Sequence, residues 1–174
     1  MEKWDLFDEN RKPLNKTHKR GDEMKVGEYH TVVVIWTVNN KHEILLTLRH
    51  PNKEAYPNLW ENTGGSVLSG ETSLKGAVRE LFEETGIVAD ENELILLGTE
   101  KENSAFIDTY IVRKNVDISE LTMQEGETID AQWVSLDILD EMIKSGEIAI
   151  PISRRLIPLR SKFESFVYSK AYSF

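Results

Sequence analysis

The chain has 174 residues, of which 40% are hydrophobic and 29% charged, and its formal net charge at pH 7 is −9. A chain of this length and composition can bury one compact core, which excludes collagen-like, low-complexity and fully disordered proteins. The sequence contains no cysteine, which excludes disulfide scaffolds, cysteine nucleophiles and thiolate zinc sites. We expect a single domain over residues 1–174.

The charge balance and the ends of the chain limit the partners that we expect. With 30 Asp and Glu against 21 Lys and Arg, the chain is poorly suited to long DNA or RNA, whose phosphates are bound by basic side chains. The longest apolar run, residues 31–38, is too short to span a bilayer. The first residues lack the basic and apolar segments of a secretion signal. We therefore predict a cytoplasmic protein that binds neither membranes nor nucleic-acid polymers.

The N-terminal segment is predicted to form a β-hairpin. Residues 4–7 are mainly apolar, residues 8–13 form a polar turn that ends in proline, and residues 14–20 return. Apolar runs on both sides of such a turn are typical of two paired strands. We assign this hairpin to an extension over residues 1–27.

The rest of the chain mixes predicted strands and helices. Strands are predicted at residues 31–38, 44–49, 94–99, 105–112 and 131–134. Residues 50–70 are rich in proline and glycine and are predicted to be loop. Helices are predicted at residues 72–85, 136–144 and 152–168. This order of elements favours an α+β fold with a mixed sheet flanked by helices.

The helix predicted at residues 72–85 carries a group of acids, and Gly86 supplies its stop. Glu80, Glu83 and Glu84 stand at i, i+3 and i+4, so we expect their carboxylates to share one face. Crowded carboxylates repel each other, and a hard divalent cation, Mg²⁺ or Mn²⁺, is the simplest way to stabilise them. The alternative is a solvated glutamate-rich surface. The glycine-rich loop before the helix argues against that alternative, because glycines let backbone approach a ligand closely.

Residues 65–87 resemble the Nudix box, G-x5-E-x7-R-E-U-x-E-E-x-G-U with U aliphatic, and match it at every fixed position. The resemblance to the Nudix superfamily implies an α/β/α sandwich and Mg²⁺-dependent hydrolysis of a small diphosphate linked to another group X. It also implies that Glu83 and Glu84 bind the metal and that Glu80 binds it or acts as the general base. The carbonyl of Gly64 completes the implied ligand set.

The same resemblance implies two further roles. Arg79 and Glu71 are implied to pair and to hold the loop against the helix. Nudix proteins often recruit another acid from a later loop, and Glu127 is our candidate, with Glu125 second. A plain acidic loop is the alternative for both.

The residues before the box resemble the isopentenyl-diphosphate isomerase branch of the superfamily. Arg49, Lys53, Pro57 and Trp60 follow the spacing R-x3-K-x3-P-x2-W. The resemblance implies that Arg49 and Lys53 grip the substrate diphosphate, which suits two cations four residues apart. Solvated surface cations are the alternative. His30 matches an isomerase metal ligand, although a lone histidine on a strand is more often a core residue.

The isomerase needs a catalytic cysteine where this chain has Gly64. We therefore predict a hydrolase that acts on a small diphosphate substrate. Isomerase activity is one alternative, and a non-catalytic sensor of a diphosphate ligand is another. A homodimer stays open.

Overall fold

A computed structural model describes residues 1–169 of the chain, so that residues 170–174 of the expected domain lie outside the described part. Strands lie at Lys3–Phe7 (β1), Pro13–Lys19 (β2), His30–Val38 (β3), Ile44–Arg49 (β4), Trp60–Glu61 (β5), Thr63–Ser66 (β6), Ile95–Glu102 (β7), Ala105–Arg113 (β8) and Thr128–Val134 (β9). Helices lie at Ser73–Thr85 (α1), Leu136–Ser145 (α2), Ile150–Leu156 (α3) and Arg160–Val167 (α4). None of these helices is long and apolar enough to cross a bilayer.

One mixed sheet forms the centre of the fold. Its strand order is β5-β4-β3-β8-β7, with β6 paired to β3 and β9 paired to β4. β3 and β8 are parallel over their whole length, whereas β6 and β4 are antiparallel to β3. β6 pairs with the first half of β3, at Val32–Ile35, and β4 pairs with its last residue, Val38. β4 and β6 therefore lie next to different halves of β3.

Helices cover both faces of this sheet. Because successive side chains of a strand point to opposite faces, Ile35 packs with Leu81 of α1, and Trp36 packs with Phe163 of α4. The ring centroids of Trp36 and Phe163 are 4.9 Å apart. The predicted α+β architecture, an α/β/α sandwich around a mixed sheet, is thus confirmed.

The last predicted helix, residues 152–168, is wrong as a single element. A 3₁₀ turn at Ile157–Leu159 separates α3 from α4. Pro158 lies in this turn, and proline has no N–H for a helical hydrogen bond and clashes with the preceding turn. The apolar spacing continues across the interruption, which is why the sequence pattern resembles one helix.

The loop predicted at residues 50–70 contains two short strands. β5 pairs with β4, and β6 pairs with β3. β5 has only two residues, and β6 includes Gly64 and Gly65. β5 is too short to show an alternating pattern, and glycine is depleted in strands. Neither segment is therefore predicted as a strand from the sequence.

The predicted N-terminal hairpin is present and is joined to the rest of the fold by backbone hydrogen bonds. β1 and β2 are antiparallel. Phe7 and Tyr29 exchange N–H···O bonds of 2.8 and 2.9 Å. On the other side, the Lys3 carbonyl accepts the N–H of Ser69 at 2.8 Å. The hairpin therefore contacts both the start of β3 and the loop before α1.

A buried carboxylate also joins the hairpin to the sheet. Asp108 of β8 is 2% exposed and accepts both terminal nitrogens of Arg11, which lies in the hairpin turn. It also accepts hydroxyl hydrogen bonds from Ser73 of α1 and Thr99 of β7. Burial by itself would raise the pKa of Asp108, but the bonds from Arg11, Ser73 and Thr99 hold it below its usual value.

We expect Arg11→Ala to destabilise the protein by about 2–3 kcal/mol, because it leaves Asp108 buried without its cation. The pKa of Asp108 is lowered on folding from its usual 3.8, so its stabilisation is present above pH 3.8 and is lost as the pH falls further. The difference between variant and wild type should therefore be largest near pH 7. Urea unfolding at several pH values measures it.

Arg20→Ala is the matched control, because Arg20 pairs with Glu2 at the surface, where both side chains are largely exposed. We expect this variant to lose no more than about 0.5 kcal/mol. Equal losses in the two variants would contradict the role given to Asp108.

Candidate active site

The predicted acids lie on α1, and local signals fix both ends of this helix. The Thr72 hydroxyl accepts the N–H of Lys75 at 3.2 Å. Gly86 has a φ of 75°, and its N–H donates to the Phe82 carbonyl at 2.8 Å. Glycine suits this left-handed conformation because it has no Cβ. The predicted helix is confirmed, with its acids in the second half.

The glycine pair of β6 packs directly against two of these acids. A Cβ added at Gly65 would lie 2.3 Å from the carboxyl carbon of Glu80, and one at Gly64 would lie 2.8 Å from the Val33 carbonyl oxygen. The N–H of Gly64 donates to Oε2 of Glu84 at 3.4 Å. At Gly64 the neighbour is backbone, so that a side chain there would push the strands apart, whereas at Gly65 the Glu80 carboxylate would have to move. The strand backbone therefore lies next to the helix acids.

Arg79 joins α1 to the loop that precedes it. Its guanidinium donates to the two carboxylate oxygens of Glu71, at 2.9 and 3.0 Å, and to the Ser66 carbonyl at 3.0 Å. It also donates to Glu80 at 2.8 Å and to Glu83 at 3.0 Å. The bond to Arg79 lowers the pKa of Glu71. The contact expected between Arg79 and Glu71 is present, and it holds loop and helix together.

Glu84 is a buried acid beside other acids. It is only 8% exposed. Burial first, and then the negative charges of Glu61 and Glu80, raise its pKa well above the usual 4.5. Burial also raises the pKa of Glu80, although Arg79 opposes this shift. A carboxyl group in such a place is stable when it is protonated or when its charge is paired with a cation.

Glu61 is an acid of this site that sequence reasoning missed. It follows Trp60 on β5, and its register opposite Thr47 brings it beside Arg49 on β4. Nη1 of Arg49 donates to both of its oxygens, at 2.7 and 2.6 Å. Burial raises the pKa of Glu61 although Arg49 opposes the shift. Only the pairing of β4 with β5 signals this contact, and a two-residue strand cannot be predicted from its composition.

Acids engage both cations of the predicted diphosphate grip. Arg49 is paired with Glu61, and Nζ of Lys53 donates to Oε2 of Glu127. The charges of Glu61 and Glu127 both act on Glu84. Arg49 and Lys53 are thus each bound to an acid whose charge acts on Glu84, and no hydrogen bond within residues 1–169 joins these two cations to the acids of α1. The second candidate, Glu125, is an exposed residue of the loop before β9.

The acids of α1 differ in their surroundings. In the described part of the chain, no three His, Asp or Glu side chains are arranged to hold a single ion. Glu83 does not share the environment of its neighbours, because its side chain is 45% exposed and turned to Arg79. The donors still fit a hard divalent cation by their chemistry, since the buried oxygens of Glu84 lie beside Glu80 and the Gly64 backbone.

His30 belongs to an aromatic stack. Its ring centroid is 4.2 Å from that of Trp4 in the hairpin, with an angle of 15° between the planes. Burial, followed by the charge of His18, lowers the pKa of His30 to about 4. The half-buried His30 ring is therefore neutral near pH 7 and packs on the indole. Within residues 1–169, His30 joins no metal-binding group.

Among the described residues, the cavities beside the hairpin and beside α4 lie outside the acidic group. One of about 190 Å³ lies between the hairpin and the loop before α1 and is lined by Arg11 and Val67 among others. Another of about 1140 Å³ lies between β7 and α4, lined by residues that include Ile95 and Phe166. Neither contains an acid of the second half of α1. Charge and burial, and not cavity size, therefore identify the candidate site.

Known proteins resemble this chain over most of its length. The family model described as NUDIX domain matches residues 28–156. The uncharacterized Nudix hydrolase lmo0368 of Listeria monocytogenes is 40% identical over 153 residues, which cover 84% of this chain and 88% of the relative. The crystal structure of DR0079 from Deinococcus radiodurans shares the fold with a TM-score of 0.71 at 24% identity, over 85% of this chain and 92% of that one.

A partial similarity links the chain to an isomerase. The isopentenyl-diphosphate Delta-isomerase of Pectobacterium atrosepticum is 36% identical over 83 residues, which are 47% of this chain and 46% of the isomerase. This similarity agrees with the sequence pattern that leads into the box, and it leaves about half of either chain unmatched.

We expect Glu84→Gln to stabilise the metal-free protein. The pKa of Glu84 is raised on folding above 4.5, so its ionisation opposes folding at pH values above 4.5, and an amide removes that penalty. We expect the Tm in EDTA at pH 7 to rise by roughly 2–4 °C, the shift that 1 kcal/mol produces in a domain of this size. Below pH 4.5 the difference should vanish. Calorimetry measures both values.

Glu83→Gln is the control, since Glu83 is half exposed, and its Tm should change little. A lower Tm for Glu84→Gln at pH 7 in EDTA would show that ionised Glu84 stabilises the metal-free fold and would contradict the assignment.

Proposed function

The chain belongs to the NUDIX domain family, and on this premise we propose that it hydrolyses a small diphosphate compound with the help of Mg²⁺. One observation carries the proposal. The buried Glu84 accepts the N–H of Gly64, and two cations, Arg49 and Lys53, are bound to Glu61 and Glu127, whose charges act on Glu84. Metal-binding oxygens next to phosphate-binding cations are what diphosphate hydrolysis requires.

The helix acids supply the proposed metal ligands. Glu80, Glu83 and Glu84 would hold the cation together with the carbonyl of Gly64. When bound, Mg²⁺ neutralises phosphate oxygens and lowers the pKa of an attacking water. Mn²⁺ prefers the same oxygen donors, and we expect it to substitute.

Two acids are our candidates for accepting the proton of the attacking water. In the reaction the water oxygen bonds to one phosphorus, the bridging P–O bond breaks, and a proton leaves the water. Glu80 faces the glycine strand, and Glu127 is bonded to Lys53. We propose Glu80 or Glu127 as the general base, because each lies within the acidic group around Glu84.

Arg49 and Lys53 would hold the phosphate that leaves. Their charges balance the negative charge that develops on the bridging oxygen in the transition state. Each is engaged by an acid in the absence of substrate, so that diphosphate oxygens would share these cations with Glu61 and Glu127. Charge-assisted bonds to phosphate are strong enough to do so.

Isomerisation of isopentenyl diphosphate is the alternative that the partial similarity favours. Allylic isomerisation adds a proton to one carbon and removes one from another, and it needs two positioned acid–base groups. Gly64 provides no titratable group, and the chain contains no cysteine. Hydrolysis needs only a metal site, a water and cations, for which the chain has candidates.

With Mg²⁺, the purified protein should release phosphate or nucleotide from at least one member of a panel of nucleoside, sugar, coenzyme and isoprenoid diphosphates. Glu84→Gln should lower the rate on the order of 100-fold, as removal of one strong electrostatic stabiliser does. Phosphate assays and product identification by mass spectrometry test both expectations, and circular dichroism checks that the variant is folded.

Two outcomes of this panel would contradict the proposal. Formation of dimethylallyl diphosphate at an enzymatic rate would identify an isomerase. Saturable, Mg²⁺-dependent binding of one compound without turnover would identify a sensor.

We expect Arg49→Ala to lower kcat/KM by about 10- to 100-fold and Lys53→Ala by less, because the Arg49 side chain is the less exposed of the two and water screens its charge less. Steady-state kinetics on the best substrate of the panel measures both. Arg160→Ala is the control, since Arg160 is paired with Asp140 near the surface, and its kcat/KM should stay at the wild-type value. Unchanged kcat/KM in both grip variants would show that these cations do not contact substrate.

A further inference from the structure

Four contacts fix the guanidinium of Arg49. Nε and Nη2 donate to the Ala55 carbonyl at 3.0 and 2.8 Å, and Nη1 donates to both oxygens of Glu61 at 2.7 and 2.6 Å. The Arg49 and Glu61 side chains are each only 15% exposed. Water competes little for such a pair, so the side chain loses its rotamer freedom within the fold itself.

These contacts do not use every donor of Arg49. A guanidinium has five N–H groups, two of them on Nη2. Among residues 1–169, the Ala55 carbonyl takes one N–H of Nη2, and the second N–H of this nitrogen has no acceptor. This second N–H is the donor that an anion would engage.

We propose that Glu61 is a positioning residue, which holds Arg49 in the orientation that receives the diphosphate of the substrate. This inference rests on the proposed function. Glu61 acts through Arg49 and need not contact the substrate. A preoriented guanidinium gives up less freedom when phosphate arrives, so the contact with Glu61 contributes to binding and to the transition state.

The place of Glu61 in the chain supports this role. Glu61 ends β5, and Gly64, whose N–H contacts Glu84, follows in β6. The chain thus fixes the anchor of Arg49 and the backbone beside the helix acids within one short segment. Within the described residues, the other cation of the grip has no comparable anchor, since the Lys53 side chain makes one hydrogen bond there, to Glu127.

A double-mutant cycle tests the proposal with methylenebisphosphonate, a diphosphate analogue that cannot be hydrolysed at its bridge. Wild type, Glu61→Ala, Arg49→Ala and the double variant are titrated with this probe and Mg²⁺ by calorimetry. We expect Glu61→Ala to weaken binding about 10-fold when Arg49 is present and less than about 2-fold when it is absent, because the effect passes through Arg49. The cycle in kcat/KM on the best substrate should show the same dependence.

Two further variants separate positioning from general stability. Glu61→Gln keeps the size of the side chain and one hydrogen-bond acceptor, so it should recover part of the lost affinity, and it replaces Glu61→Ala if that variant does not fold. Asp140→Asn loosens the remote pair with Arg160 and should leave probe binding unchanged.

The outcomes distinguish this inference from the proposed function. Coupling in probe binding without hydrolysis of any panel member would support the inference and overturn the proposed function. Hydrolysis with additive effects of the two variants would do the reverse. Tighter probe binding in Glu61→Ala would show that Glu61 competes with the diphosphate, and no binding by wild type would show that Arg49 is not a diphosphate site; either result overturns the inference.

Discussion

The geometry of the acidic group depends on the hydrogen bonds of the Arg79 guanidinium. It binds Glu71 and the Ser66 carbonyl in the segment before α1, and Glu80 and Glu83 on α1 itself. A helix bound in this way cannot slide along its axis without breaking several charge-assisted bonds. The Glu80 carboxylate also packs so closely on Gly65 that no space for a Cβ remains between them. Arg79 and the glycine pair therefore both constrain the position of α1 relative to β6.

The acids of this region are paired with cations to different degrees. Arg79, Arg49 and Lys53 neutralise acids at the edge of the group, whereas burial and neighbouring carboxylates act on Glu84 without a cationic partner among residues 1–169. Such an arrangement costs folding free energy unless a proton or a cation is bound. A buried carboxylate that lowers the free energy of unfolding is typical of sites that bind charged ligands.

Local signals explain what the sequence could predict. Thr72 and Gly86 mark the ends of α1, and the period of its acids needs no knowledge of the rest of the chain. Contacts between distant segments explain what was missed. Glu61 meets Arg49 only because β5 pairs with β4, and Arg11 meets Asp108 across 97 residues. The apolar period was misleading around Pro158, since it continues through a turn that breaks the helix.

The hairpin and α4 pack onto the sheet although they lie outside the residues that the family model matches. The family match begins at residue 28 and ends at residue 156, yet Arg11 compensates the buried Asp108 and Phe163 packs against Trp36 in the core. A fragment limited to the matched residues would keep every acid of α1. It would lose Arg11, the cation bound to Asp108, and Phe163, which packs on Trp36 in the core. The residues that the family model matches are therefore fewer than the residues that pack into this fold.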